Sequence, residues 1–476
     1  MKKILLLLVF LLILNCKDKE IPKKPNIVWI MLEDWGYQLS CYGEPGIKTK
    51  YIDKLASNGV RFTNSFCTSP VCSPSRSAMM TGFHQNYINA NQHRSGKKFG
   101  YPKQELPKGI KPLTLHLKEA GYYTALMKSK KKDLNFLPNR HLFDGRDWKD
   151  RKPNQPFFAQ VTFEWTHRKW RRDSIRPISI DSIKVPPYYP QTDLVKRDWA
   201  NGLESMQIVD RQVGKLLKRI DDEGLKENTI VFLIGDNGRC MPRGKQFLYD
   251  GGIQVPVIIR WPNKIKAGQV NANLISTIDI TKTILDIAGA KSEIPLPGIN
   301  LLNTNKQRKY IYAARDKMDD THDASRVIRS KEFKLIHNLM PERAYCQLNN
   351  YKEDFYPTLA EMNVLHLKGL LNENQKKFMA ATKPEFELYD MVNDPYELNN
   401  LAYNKDFDKI KKEYLNQLNK WRVTINDKGV TDEFRKGGAT AKYPTRTLQE
   451  WEAHLEGFKP WVFRNPKSKM KHPYAK

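Results

Sequence analysis

The chain predicts an α/β fold, with a mainly parallel central sheet flanked by helices and a smaller C-terminal α+β subdomain containing an antiparallel sheet. Three observations carry that expectation. First, Asn26-Ile27-Val28-Trp29-Ile30-Met31-Leu32 is an unbroken apolar run rich in β-branched residues, suited to a strand covered on both faces. Runs of similar character recur at residues 122–127, 156–163 and 229–235. Second, helical patterns lie between them. The clearest sets Met206, Val209, Val213, Leu216, Leu217 and Ile220 on one stripe and stops near Gly224, as helices often do at a glycine. Strands alternating with helices are the pattern of a parallel sheet. Third, the character changes after residue 320, where 324–330 and 332–338 read as a short hairpin and 407–421 as an amphipathic helix.

With 476 residues and 40% hydrophobic content, the chain is long enough for a large core in more than one layer. Eighty Lys and Arg against 52 Asp and Glu give a formal net charge of +28. Such a field concentrates polyanions and speeds their encounter. Nucleic acid and sulfated or carboxylated polysaccharide are the candidates. No zinc-finger spacing or RNA-binding aromatic signature is present, so no nucleic-acid partner is expected.

The N-terminus points outside the cytoplasm. Met1-Lys2-Lys3 is a basic n-region and Ile4 to Leu14 an apolar h-region too short to span a membrane comfortably, which is the pattern of a secretory signal over residues 1–16. Its Asn15-Cys16 end resembles a bacterial lipoprotein cleavage site, with Asn15 standing where a small residue is usual. That resemblance implies lipidation of Cys16 and an anchor in a membrane. Residues 17–24 then form a tether, whose Lys17-Asp18-Lys19-Glu20 is similar to export signals of surface lipoproteins. The expected location is the outer membrane or cell surface, with the periplasm as alternative. Cys16, Cys41, Cys67, Cys72, Cys240 and Cys346 are not spaced as a zinc site and are too sparse for a disulfide framework.

Four segments carry chemistry. The first strand ends in Glu33-Asp34-Trp35-Gly36, acidic residues at a strand's carboxyl end, where open α/β sheets place their sites. Val71-Cys72-Ser73-Pro74-Ser75-Arg76 then runs through a helix-compatible stretch to Thr81-Gly82. A strand through Phe163 is followed by Thr166-His167, and Ile230 to Ile234 by Gly235-Asp236-Asn237-Gly238, with Lys245 and Leu248-Tyr249-Asp250-Gly251-Gly252 beyond. Singly, each has an ordinary reading: a solvated acidic turn, a small buried cysteine, a structural histidine, a tight Asn-Gly turn. Together, in this order, they resemble the type I sulfatases of the alkaline-phosphatase-like superfamily.

The resemblance implies a catalytic domain over residues 25–320 and a C-terminal subdomain over 321–476, ending in a basic arm from Lys459. It implies that a maturation enzyme converts Cys72 to Cα-formylglycine (3-oxoalanine), whose hydrated aldehyde is the nucleophile. It also implies Ca2+ held by Glu33, Asp34, Asp236, Asn237 and residue 72, with Arg76, Lys131 and Lys245 on sulfate and nucleophile and His167 protonating the leaving group. Glu33 stands where the family more often has Asp, and Asp250 where it has Glu. The family's Gly-Lys-Trp-His is replaced by Lys128-Ser129-Lys130-Lys131-Lys132-Asp133. Lys131 is its best lysine match, and Asp133 lies near the missing histidine. Which group deprotonates the nucleophile is therefore open. His84, His93 and Arg94 are expected to contact substrate, and Arg315, His322 and Arg326 to line the mouth. The implied activity is hydrolysis of sulfate esters on a polysaccharide; the stretches Thr81 to Arg94 and Met340 to Arg343 resemble both heparan-type and ulvan sulfatases, and an ulvan-like substrate is favoured. The alternatives are a heparan-type sulfatase or sulfamidase, a phosphonate or phosphodiester hydrolase of the same superfamily, and a non-catalytic polysaccharide-binding lipoprotein.

Overall fold

The computed structural model describes residues 24–95, 101–138, 141–303, 305–437 and 443–474. The expected leader with Cys16, and the tether up to residue 23, lie outside the described residues. Seven strands make the central sheet: β1 (Asn26–Leu32), β2 (Val60–Phe66), β3 (Tyr123–Met127), β4 (Phe157–Phe163), β5 (Thr229–Gly235), β6 (Val257–Arg260) and β7 (Gln269–Ser276). Their spatial order is β3-β4-β1-β5-β6-β2-β7. Only β6 runs antiparallel, to β5 on one side and β2 on the other, so the sheet is mainly parallel.

The unbroken hydrophobic runs follow from that architecture. Val28, Ile30 and Leu32 of β1 face a core that includes Leu203, Met206 and Val213 of the long helix Asp193–Asp222. Ile27, Trp29 and Met31 face the opposite core with Leu117, Ile280 and Ile284. With helices on both faces, neither set of alternating side chains meets water. The long helix is capped by Thr192, whose hydroxyl accepts from the Val195 N–H at 3.3 Å, and the chain turns away at Gly224 with φ +66°.

A second, antiparallel sheet contains β8 (Ile311–Arg315), β9 (Ser325–Arg329), β10 (Phe333–Asn338) and β11 (Phe386–Asp390), paired in chain order. β8 precedes residue 320, so this sheet begins on the near side of the expected domain boundary. The helix Asp408–Thr424 covers the sheet with Leu418 and Trp421. Asp250 ties the sheets together, accepting from Arg329 at 3.0 Å and Lys334 at 2.9 Å. A last helix, Leu448–Val462, packs Trp451, Leu455 and Phe458 against Ala360 and Val364. Pro460 lies inside it, so the basic arm begins at Phe463 rather than at Lys459.

Candidate active site

Strand register assembles the site. Leu32 pairs with Phe163 on one side and Gly235 on the other, so three adjacent strands end level. The residues that follow, Glu33, Glu164 and Asp236, leave the sheet side by side at its carboxyl edge. Gly238 completes the turn after β5: a Cβ there would fall 2.1 Å from the Gly251 carbonyl oxygen, so only glycine lets the Gly251-Gly252 segment approach. Left-handed backbone gathers at this edge, at Asp34, Arg94, Asp133, Gln246 and Asp319, a conformation that non-glycine residues hold only when their surroundings impose it.

The helix Cys72–Thr81 points its first turn at these tips, and all ten of its residues are buried. Val71 is extended and offers no side-chain cap, so first-turn N–H donors face the site, a favourable end for an anion. Arg76 stands one turn after Cys72. Its guanidinium bonds Glu33, and its Nε donates to Asp236 Oδ2 at 2.7 Å. Ser75 Oγ adds a 2.5 Å bond to the Asp236 carbonyl. The helix is thereby stitched to two strands.

Glu33, Asp34, Asp236 and Asn237 are all fully buried. Asp34 accepts from Lys245 Nζ at 2.7 Å, Cys240 Sγ at 2.8 Å and Asn237 Nδ2 at 2.9 Å. Its own N–H donates to Asp236 Oδ1 at 2.7 Å. Burial alone would raise all three carboxyl pKa values. Arg76 and Lys131 outweigh it at Glu33, and Lys245 and His167 outweigh it at Asp34, holding both below the usual range. At Asp236, burial and the neighbouring Glu33 prevail and the pKa is raised. Asn237 Oδ1 is buried with no hydrogen-bond partner. Three carboxylates, one of them under repulsion, beside an orphaned amide oxygen make an all-oxygen donor set that fits a hard dication such as Ca2+.

Cys72 itself is a buried thiol, its pKa pushed well up by burial and by Asp133. His93 Nε2 lies 3.5 Å from its Sγ, and His93 Nδ1 lies 3.3 Å from Asp319. Asp133 also hydrogen-bonds Cys72, and Lys131 and Arg76 hold its carboxyl low against the effect of burial. Lys131 bonds Glu33. His167 Nε2 sits 3.4 Å from Asp34 Oδ2 and 3.4 Å from the Tyr351 hydroxyl. The entrance is marked by side chains that keep some exposure: Arg94 at 38%, Lys131 at 26% and His167 at 22%.

The structure thus brings together Glu33, Asp34, Cys72, Arg76, His93, Arg94, Lys131, His167, Asp236, Asn237 and Lys245. Four expected mouth or substrate residues are engaged in contacts of their own. His84 is buried edge-on against Trp421 at 5.1 Å, and burial pushes its pKa down to about 3. Arg326 is fully buried between Asp316 and Asp427. Arg315 is buried on Asp323 and over Phe247. Each faces a packed interior rather than the entrance. His322 is held between Tyr101 and Phe434. Asp319, Tyr351 and Cys240 went unforeseen. Cys240 follows Asp-Asn-Gly closely enough to have been suspected, but Asp319 and Tyr351 sit in no motif and reach the site only through the fold.

Comparison with known proteins agrees with this geometry. Residues 25–144 and 135–290 match the family model described as Sulfatase, and residues 243–356 match N-sulphoglucosamine sulphohydrolase, C-terminal. An ulvan-active sulfatase of Formosa agariphila is 35% identical over 459 residues, covering 86% of this chain and 76% of the relative. Human N-sulphoglucosamine sulphohydrolase is 25% identical over 472 residues, covering 84% and 90%. A protein solved with its substrate D-glucosamine-2-N,6-O-disulfate superposes with a TM-score of 0.62 at 19% identity, covering 87% of this chain and 100% of its own.

Proposed function

Since this chain belongs to the sulfatase family, we propose that it removes sulfate esters from an ulvan-type polysaccharide or its oligosaccharides, using Cys72 matured to formylglycine. The observation that carries this is the convergence of Asp34, Asp236, Asn237, Arg76 and Lys245 at the head of the Cys72 helix. An ulvan-active relative at 35% identity supports the substrate.

Matured residue 72 supplies a hydrated aldehyde, one hydroxyl to attack sulfur and a second whose deprotonation expels sulfate. A dication held by Glu33, Asp34, Asp236 and Asn237 supplies charge neutralisation for the anionic ester. The chain's own groups do the rest. Arg76 fixes the two strand tips against the nucleophile helix. Lys131 and Lys245 place positive charge where negative charge develops. His167 Nδ1 donates to the Arg168 carbonyl at 2.6 Å, so its partly exposed Nε2 must first gain a proton before it can protonate the departing alkoxide. Two acceptors stand within reach of residue 72, the Asp133 carboxylate and His93 Nε2. Asp319 meets His93 Nδ1 through both its carboxylate and its N–H, at 3.3 Å each, and so fixes the orientation of the ring toward residue 72.

Mass spectrometry of the peptide bearing residue 72, from protein made with its maturation enzyme, tests the reading together with turnover of ulvan oligosaccharides and an aryl sulfate. Active protein carrying an unmodified thiol would refute the mechanism. A second reading, cleavage of a glucosamine N-sulfate, is favoured by the C-terminal family match over residues 243–356. It predicts faster release from N-sulfoglucosamine than from ulvan oligosaccharides. The leader and Cys16 support export and a lipid anchor, which Cys16→Ala would abolish in a membrane-fractionation experiment.

A further inference from the structure

The loop that carries His167 continues into a second, strongly basic pocket that the reaction described above does not use. After β4 the chain runs through Trp165 and His167 to Lys169-Trp170-Arg171-Arg172, which wall a cavity of about 730 Å3. That volume lies in the range of small-molecule binding sites. Among the described residues six cations line it, Lys169, Arg171, Arg172, Arg464, Lys469 and Lys471, and no acidic side chain does.

The pocket is built rather than fortuitous. Arg172 is fixed by Glu204 at 2.6 Å and donates to the Arg464 carbonyl at 2.5 Å. Arg464 in turn donates to the Trp170 carbonyl at 2.6 Å. The arm bearing Lys469 and Lys471 is pinned to the body, His472 packing on Trp461 at 4.5 Å and Phe355 at 4.8 Å. Tyr474 stacks on His454 at 4.0 Å. Both lysines are exposed, as are Lys169 and Arg171. Among the described residues, no carboxylate forms an ion pair with Arg171, Lys469 or Lys471. Beside the pocket, Trp165 keeps 37% exposure with the Arg171 guanidinium 3.8 Å from its ring centroid.

We infer that this pocket binds a second anionic residue of the polysaccharide, further along the same chain whose sulfate is presented to residue 72. The inference rests on the proposed function and extends it to a remote subsite. The exposed cations Lys169, Arg171, Lys469 and Lys471, which no carboxylate pairs among the described residues, select sulfate or carboxylate groups. An exposed indole ring offers an apolar face to a sugar and a polar edge to water. The shared wall is the His167 loop, so one saccharide chain can run from the entrance into the pocket. Nucleic acid, the other polyanion, is served by successive stacking platforms, and among the described residues the pocket has one exposed indole beside it.

The test uses the full, matured chain carrying K169Q, R171Q, K469Q and K471Q together, with W165A as an independent variant. Aryl sulfate turnover should be unchanged in both. For ulvan fragments long enough to span the two sites, kcat/KM should fall about tenfold in the quadruple variant, mainly through KM, and less for the shortest oligosaccharides. In the C72A background, calorimetry should show the same loss of affinity, and desulfated fragments should bind the parent more weakly than sulfated ones. Equal kcat/KM on long fragments for wild type and both variants would overturn the subsite. Tighter binding of single-stranded DNA than of ulvan fragments, lost in the quadruple variant, would overturn it in favour of nucleic acid. Failure of every sulfate substrate would instead refute the proposed function, while the C72A binding comparison still reads the pocket.

Discussion

His93 illustrates how single side chains divide the chemistry. Its ring lies between Cys72 Sγ on one side and Asp319 on the other, and burial holds its pKa low although Asp319 works against that. Asp133 occupies the alternative position beside the same thiol. If His93 takes the proton from residue 72, H93Q should lower kcat for an aryl sulfate by about 10²- to 10⁴-fold with little change in KM, and D133N should have a smaller effect. The reverse ranking would assign the role to Asp133. C72A should abolish turnover by at least about 10⁴-fold. At this scale, legibility followed distance along the chain. Cys72 and Arg76 share one helical turn, and the acidic tips adjoin apolar strands, so residue type and spacing exposed them. Asp319 meets His93 across 226 positions, with no local pattern around it to mark it.

Elements, rather than residues, decide where His167 points. The loop after β4 is locked by Arg168, which donates to Asp198 Oδ1 at 2.6 Å and Oδ2 at 3.0 Å. The same guanidinium lies between the rings of Trp170 at 3.7 Å and Tyr356 at 4.6 Å. Asp198 belongs to the long helix, so the loop inherits that helix's rigidity. D198A leaves a buried, unpaired guanidinium and should cost about 3–5 kcal/mol in denaturant unfolding, together with activity. A second element contact sets an acid limit. His84 sits neutral against Trp421 of the helix Asp408–Thr424, its pKa near 3 instead of 6.5. The unfolded chain therefore binds this proton first, and the stabilisation present above pH 6.5 is lost as pH falls toward 3. H84L should flatten the acid side of the stability profile by up to about 1.4 kcal/mol per pH unit below pH 6; an unchanged slope would remove His84 from the account. β1, β4 and β5 were legible because strands buried on both faces must be apolar throughout. β6 was not read as antiparallel, nor β8 as the start of the second sheet, because four or five residues carry no directional signal and partner choice is made by tertiary packing.

At the scale of the whole molecule, the dication site joins elements that are otherwise held by separate contacts. Glu33 and Asp34 follow β1, Asp236 and Asn237 follow β5, Arg76 comes from the Cys72 helix, and Lys245 from the segment between β5 and β6. Three buried carboxylates at one point repel each other, burial and then Glu33 raising the pKa of Asp236, and Arg76, Lys131 and Lys245 offset that repulsion. A bound dication that prefers the folded state must therefore stabilise the entire cooperative unit, by about 2.7 kcal/mol when its free concentration is 100 times its dissociation constant. Chelation should lower both Tm and aryl sulfatase activity, and Ca2+ should restore both. The same Tm shift should persist in C72A, where no turnover remains, because most of the proposed ligands lie outside residue 72. D236N should reduce the shift and weaken Ca2+ binding measured by calorimetry. A melting temperature indifferent to chelator and to added Ca2+, in protein that nevertheless turns over sulfate, would mean that the carboxylate cluster serves the lysines and Arg76 alone and that the site works without a dication.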